Sequence, residues 1–484
     1  MNRTSPKPLR GYLMLIAIVF GAIFLGALGA LVSFVLTENR ARNANDVQAR
    51  AFAIAEAGLE YYRWHLAHYP SDLQNGTGAA GPYSMTYNDP EGGALGTIEL
   101  TIGGNTSCNQ ITSVDITSKG TTAGSPAYTK TIFARYARPS VAEYSYILND
   151  SVWAGSDRVI LGPYHSNGGI RMDGTANSPV TSSLSTWSCT SSFGCSPTQT
   201  KNGVWGAGTN QNLWSYPTPQ VDFAGISADF GTLKTTAQAS GVYYPRYSTG
   251  TATTSSSYWN GYHLTFNTNG TVTVKRVSAT TQLQVSPVNS AEWTTDRALL
   301  ATEAAYETKT IPSTCGLIFV EDNVWIDGTV PSKITLVAAN VVSGGTIRPN
   351  IYLRDNLQYS VTTGAAGLTA IAANDVLIAP NAPTNMTLNG VFIAQNGAFG
   401  RNLYLNSSRS DCHSTYEPKG TLTILGTTVS NKRTGTKWMN GCGSGDDAGF
   451  QNRVDSYDRN LSTNPPPFTP SVSTDYEFVD WREQ

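Results

Sequence analysis

The chain has 484 residues, of which only 14% are charged, and its formal net charge is −2. An average soluble domain carries roughly 25% charged residues, and so neutral a balance gives no electrostatic case for nucleic-acid binding. The length allows roughly three domains of about 150 residues each.

The N-terminus is basic, with Arg3, Lys7 and Arg10 ahead of Gly11. Residues 12–36 then run for 25 positions without a charge. About 20 apolar residues suffice to cross a bilayer. The basic flank favours a cytoplasmic N-terminus, which sends the remainder outward. Arg40 and Arg42 beyond the apolar run weaken that asymmetry, and Glu38 and Asp46 partly offset them. A secretory signal peptide is the alternative, with Ala27-Leu28-Gly29 as a poor cleavage site, but its apolar core is typically about 7–15 residues. Ala22, Gly26 and Ala30 recur every fourth position, which lets a second helix approach closely. Small residues are also common in membrane helices for no such reason.

Helix-forming sequence continues past the apolar run, with no proline until Pro70. One helix over 12–68 would be roughly 85 Å long. Ala44, Val47, Ala51, Ile54, Ala55, Leu59 and Tyr62 trace an apolar stripe at three- and four-residue steps. Tyr61, Tyr62, Trp64 and His65 end it with aromatic bulk suited to docking on a sheet. His65 and His68, three apart, are metal-ligand candidates or ordinary surface residues.

Residues 70–81 read as a loop from their Pro, Asp, Asn and Gly. Residues 83–138 alternate apolar and polar at period two and read as a small antiparallel sheet. From 139 to 434 short β-branched bursts recur about every ten residues, as in SDRVILGPYHSNGGIRMDG, EDNVWIDGTV, ANDVLIAPNAP, GVFIAQNGAFG and GTLTILGTTVSNK. Such spacing suggests a degenerate parallel β-helix or related solenoid, whose coils bury their apolar residues only by stacking. A β-sandwich of short strands is the competing architecture.

Residues 175–314 break the pattern and read as an inserted α+β subdomain. It holds Trp187, Trp205, Trp214, Trp259 and Trp293, which serve either a sugar or partner surface or the insert's own core. Within it, 221–239 and 290–307 read as helices, the second capped by Ser290. Residues 265–277 read as a hairpin turning at Asn269-Gly270. Residues 435–484 read as an extended strap, because Pro465-Pro466-Pro467 excludes helix and central strand. Asp446, Asp447 and Asp455 lack the regular spacing of a calcium loop.

All six cysteines follow the apolar segment. In an oxidising compartment they would pair. Cys189 with Cys195 and Cys412 with Cys442 are the local candidates, which leaves Cys108 with Cys315; free buried thiols are the alternative. No CxxC occurs, so no zinc site is expected.

Arg10-Gly11-Tyr12 followed by an apolar helix resembles a type IV prepilin leader. The segment QARAFAIAEAGLEYYRWHL (residues 48–66) resembles the N-terminal domain of PilX-type minor pilins and the related large type II secretion pseudopilins. The later GPYHSNGGIRMDG, VEDNVWIDG, VFIAQNGAFG and TLTILGTTVSN blocks resemble large pilus-assembly proteins with this N-terminus. The resemblance implies a leader over residues 1–11, cut by a prepilin peptidase after Gly11, so that Tyr12 becomes the first mature residue. Most of the family have Phe at that place. Most also carry Glu at the fifth mature position, here Ile16. That Glu is thought to pair with the amine of the subunit above, and an unpaired carboxylate in lipid is costly. Its absence suits a tip or initiating subunit, and equally a protein that never enters a filament.

Three functions follow. The first is a minor-pilin-like assembly and display protein, single-pass in a bacterial-type inner membrane, with the head outside. Its partners would be inner-membrane lipid, other pilins or pseudopilins through the N-terminal helix, prepilin peptidase, and a surface or glycan ligand for adhesion by the head. The second is an anchored adhesin that does not polymerise. The third is a β-helix polysaccharide enzyme, for which Asp322 and Asp327 are scattered candidates without a matched set. There is no GxSxG, P-loop or HExxH motif, so no catalytic residue, cofactor or metal is expected, and fold alone licenses no activity.

Overall fold

The computed structural model describes residues 10–124, 126–249, 256–288, 292–341, 348–443 and 445–484. It comprises a long N-terminal helix followed by a mostly β chain, divided into two units. One unit is Met1–Gly103 with Asp115–Ala134 and Asp480–Gln484; the other is Gly104–Val114 with Arg135–Val479.

In the first unit, α1 (Arg10–His68) is one uninterrupted helix of 59 residues, about 88 Å long at 1.5 Å per residue. Residues 12–36 have no buried side chain. Farther along, Ala51, Ile54, Ala55, Leu59, Tyr62 and Leu66 are all buried. The predicted stripe therefore holds from Ala51 onward, while Ala44 and Val47 are half-buried. The helix ends just before Tyr69-Pro70, since a proline disfavours helical backbone in the residue ahead of it.

The buried stripe lies on a sheet ordered β1 (Tyr83–Asn88), β2 (Ala94–Ser107), β3 (Gln110–Thr122), β4 (Thr129–Ala137), with the C-terminal strand Glu477–Glu483 as a fifth member. Glycines set how close helix and sheet come. A Cβ on Gly120 of β3 would lie 2.3 Å from the Ala51 carbonyl and 2.4 Å from the Ala55 nitrogen. One on Gly58 of the helix would lie 2.3 Å from the Ser118 hydroxyl. Helix backbone and sheet backbone are thus in direct contact, a spacing that no larger residue permits.

In the second unit the chain winds through three parallel ladders. The first is continuous in register through Val242, Ile318, Leu336, Ala370, Phe392, Thr428, Tyr146, Tyr164, Val180 and Trp214. Another runs Gly328, Leu357, Leu388, Ile424, Asp455, Ile160 and Ala176. The remaining face stacks Tyr262, Val324, Ile351, Val376 and Phe399, and separately Val152, Ile170 and Val204. These are β-helix coils, not a sandwich. Stacking buries Val, Ile, Leu and Phe from successive coils in a large core over 242–450, and a second core holds the coils from Tyr146 to Val204.

The order of the coils differs from the order of the sequence. The coil at 146–161 stacks after the coil at 419–456, although it comes nearly 300 residues earlier in the chain. The chain coils from Tyr146 to Ser215, returns through 216–241, and starts again at Val242 at the opposite end of the stack. The return carries α2 (Phe230–Ser240), capped by the Asp229 carboxylate accepting from the Gly231 and Thr232 N–H groups.

Several expectations are corrected. Residues 175–314 are not an insertion: 175–176, 180–182, 204–205, 214–215, 242–244 and 261–266 all belong to coils. What breaks the pattern is a short disulfide-bearing hairpin (Thr186–Cys189 with Gln199–Asn202) and a long one (Thr271–Ser286 with Thr294–Thr310). The stretch 290–307, rich in Ala, Leu and Glu, is strand from Thr294 onward, because pairing with Thr271–Ser286 overrides local helix preference. Ser290 lies outside the described residues. Of 221–239, only the part from Phe230 is helical. The turn at Asn269-Gly270 is present, with Gly270 at φ 82°. Within the 435–484 strap, Ala448–Ser456 is a coil strand. Strap-like chain begins after it, where Thr335 Oγ1 donates to the Pro467 carbonyl and the hydroxyls of Thr369 and Thr469 bond.

Burial, reinforced by repulsion from Glu477, pushes the Glu143 carboxyl up to about 7. The folded chain therefore holds a proton that the unfolded chain releases above about pH 4.3. Stability from this group is fully present below that pH and is lost as pH rises towards 7. Glu143→Gln should raise the unfolding midpoint at pH 8 and leave it nearly unchanged at pH 4; equal effects at both would refute the assignment. Gly120→Val should destabilise by about 1–3 kcal/mol or more through overpacking, read as a lower thermal midpoint of the detergent-solubilised chain. An unchanged midpoint would mean that the helix does not need this contact.

Candidate functional site

The most distinctive surface is the exposed part of α1. Among the described residues, α1 is the one helix long and apolar enough to cross a membrane. Its apolar run of 25 residues spans about 37 Å, against a hydrocarbon core of about 30 Å. Gly11 and Tyr12 lie in its first turn, and Arg3 and Lys7 lie outside the described residues. Ala22, Gly26 and Ala30 are exposed along one face, and no heavy atom would meet a Cβ on Gly26 within 4 Å. The face is open to a second helix, and Ile16 places no charge in it.

The cysteines form Cys108–Cys315, Cys189–Cys195 and Cys412–Cys442, leaving none free. Cys108 and Asn109 are the two turn residues between β2 and β3, both with positive φ (51° and 62°), as a tight hairpin turn requires. Asp411 lies beside Cys412 and Cys442, but disulfide sulfurs cannot act as thiolate ligands. His65 and His68 do not converge. His65 Nε2 lies 2.8 Å from Asp72 Oδ2, and the His68 ring bonds the Trp64 carbonyl. Asp72 also accepts the Gln74 and Gly76 N–H groups; these bonds hold its carboxyl below the usual range. Asp447 pairs with Lys437, and Asp455 is buried with Arg158, so Asp446, Asp447 and Asp455 form no shared cation site.

Asp322 and Asp327 are likewise committed to structure. Asp322 accepts the Tyr247, Ser248 and Asn323 N–H groups. Asp327 takes bonds from Thr265 and Arg354 and faces His263, whose other ring nitrogen faces Glu303. This cluster ties the long hairpin to its coil. Of the tryptophans, Trp187 is buried, Trp205, Trp214 and Trp259 are half-buried, and Trp293 is exposed.

The seam where coil 419–456 meets coil 146–161 was not foreseen. Two ion pairs cross it in opposite senses. Arg158 Nε donates to Asp455 Oδ2 at 2.5 Å, and Arg453 donates to both Asp157 oxygens at 2.8 and 3.0 Å. Arg158 and Asp455 are only 3% and 1% exposed. Tyr146 Oη donates to Asp455 Oδ1, and the Arg158 guanidinium lies 4.2 Å from the Tyr146 ring centre. Burial pushes the neighbouring Tyr164 hydroxyl up to about 12. A cleft of about 660 Å3 opens over the seam, with Trp153, Arg433 and Trp438 in its walls. Its walls come from residues hundreds of positions apart, and no local motif marks them.

No protein-family model and no curated protein matches the chain. Among solved structures, the competence-associated pilin ComZ from Thermus thermophilus is similar over 91% of this chain and 98% of that one, at 13% identity and a TM-score of 0.29. A likeness at that score establishes neither a shared fold nor a shared role.

Arg158→Met should destabilise by about 3–5 kcal/mol, because Asp455 is left charged and buried without its partner. The double variant Arg158→Met/Asp455→Leu should recover most of that loss. Denaturant unfolding of both checks this; equal losses in the two would mean that packing, not charge, holds the seam.

Proposed function

We propose that the chain is a pilin-like assembly and display subunit. The observation that carries this reading is α1 itself: one uninterrupted helix, exposed and apolar over residues 12–36 and packed closely on a sheet at the other end. Water tolerates such an end poorly, whereas lipid or a bundle of similar helices buries it. On this reading a prepilin peptidase cuts after Gly11, and Tyr12 becomes the mature N-terminus. The helix resides in the inner membrane and passes from lipid into a helical assembly, packing laterally through Ala22, Gly26 and Ala30. The β-helix is the displayed head, with adhesion as its role. The resemblance of residues 48–66 to PilX-type minor pilins supports the same reading.

Ile16 favours a second reading beside it. A subunit without the carboxylate that pairs with the next amine is either placed at a tip or remains a static membrane-anchored adhesin.

Mass spectrometry of the N-terminal peptide of protein recovered from cells tests the proposal. A start at Tyr12 is expected, and Gly11→Val should abolish it while the chain still accumulates in the membrane. An intact N-terminus in the unaltered protein would leave the static anchor, and a start near Ala30 would overturn both readings.

A further inference from the structure

We propose that the cleft over the seam is a saccharide-binding site that recognises a glycan chain through Arg433, Asp150 and flanking indoles. The inference deepens the adhesive part of the reading above and does not depend on filament assembly.

The cations around the cleft are not equivalent. Arg453 is paired with Asp157, Arg158 with Asp455 and Lys437 with Asp447. Arg433 has no ion-pair partner among the described residues. Its Nη2 donates to the Ser192 carbonyl at 2.9 Å, and its guanidinium lies 4.4 Å from the Phe193 ring centre. The group is thus held in place with most of its five donors uncommitted. Burial pushes its pKa down and the charge of Asp150 opposes that, yet a guanidinium stays cationic at neutral pH. Asp150 itself is exposed, and among the described residues its side chain takes only the Ser151 N–H.

The remaining lining is hydroxyl and indole. The Ser191, Ser192 and Ser286 side chains line the cleft and make no hydrogen bond among the described residues. Ser191 and Ser192 sit on a turn closed by Cys189–Cys195. Trp153 and Trp438 are half-buried and are fixed through Nε1 to Asp173 and to the Arg401 carbonyl. Met439 beside them is 57% exposed. A fixed acceptor, a fixed fork of donors, free hydroxyls and apolar ring surface together match a sugar, whose hydroxyls need both donors and acceptors while its C–H face needs an apolar surface. The volume lies within the roughly 300–1,000 Å3 of small-ligand sites. An apolar peptide anchor would want a deeper dry pocket than these polar walls provide.

Titration of the detergent-solubilised full chain with maltohexaose, cellohexaose, chitohexaose and hexagalacturonate, followed by tryptophan fluorescence and calorimetry, tests the assignment. Saturable binding of at least one is expected, weakened about tenfold or more by Arg433→Gln and by Asp150→Asn, with thermal midpoints unchanged. Reduction of the disulfides should weaken it too, by releasing the turn that carries Ser191 and Ser192. Failure of all four probes overturns the proposal, as does binding that survives both substitutions. Binding of hexagalacturonate alone that vanishes at high salt is charge adsorption and also overturns it. N-terminal processing at Gly11 is read separately, so loss of this site and loss of the assembly reading are distinguishable.

Discussion

The β-helix depends on its seam. Every other junction described in the stack joins coils that follow one another along the chain. Only here do residues 146–161 meet residues 419–456 with nearly 300 residues between them. Apolar stacking penalises a one-residue slip, which would turn the core side chains outward, but barely resists a two-residue slip, in which one Val or Ile replaces another along the ladder. Two ion pairs crossing in opposite directions do specify the register: each arginine meets its carboxylate in one alignment, and any slip leaves buried charges unmatched. The leucine and isoleucine ladder is broken at Asp455, which is where alignment has to be decided.

A comparable constraint operates on the helix. The contact between α1 and its sheet brings backbone against backbone at Gly120 and helix backbone against sheet side chains at Gly58, and is not made by interlocking side chains alone. Close approach of this kind fixes the helix firmly at one end. The other end has no buried side chain over residues 12–36 among the described residues, and its apolar surface favours lipid or other helices over water. Attachment at one end and exposure at the other are two aspects of the same helix, separated by the polar turns at residues 37–46.

Much of this was legible in the sequence because it rests on local periodicity. The stripe from Ala51 to Tyr62, the turn at Asn269-Gly270 and the short bursts such as EDNVWIDGTV each carry a pattern within a few turns or strands. What escaped depends on distant partners. Residues 290–307 have the composition of a helix, yet the stretch from Thr294 is drawn into a strand by Thr271–Ser286. Residues 175–314 looked like an insertion because hairpins interrupt them, although their short coil strands continue the ladders. The partnership of Asp455 with Arg158, and the cleft that Arg433 and Trp153 share, have no signature along the chain. They arise only once the coils are stacked out of sequence order.

That stacking order has one more consequence. The chain enters the β-helix near Pro139 and Ser140 and leaves it near Ser471 and Val472, and these points are bonded to each other. Entry and exit being neighbours, the coils between them form a cassette. Coils can be added, lost or exchanged over evolutionary time without moving the two points where the cassette joins the rest of the chain.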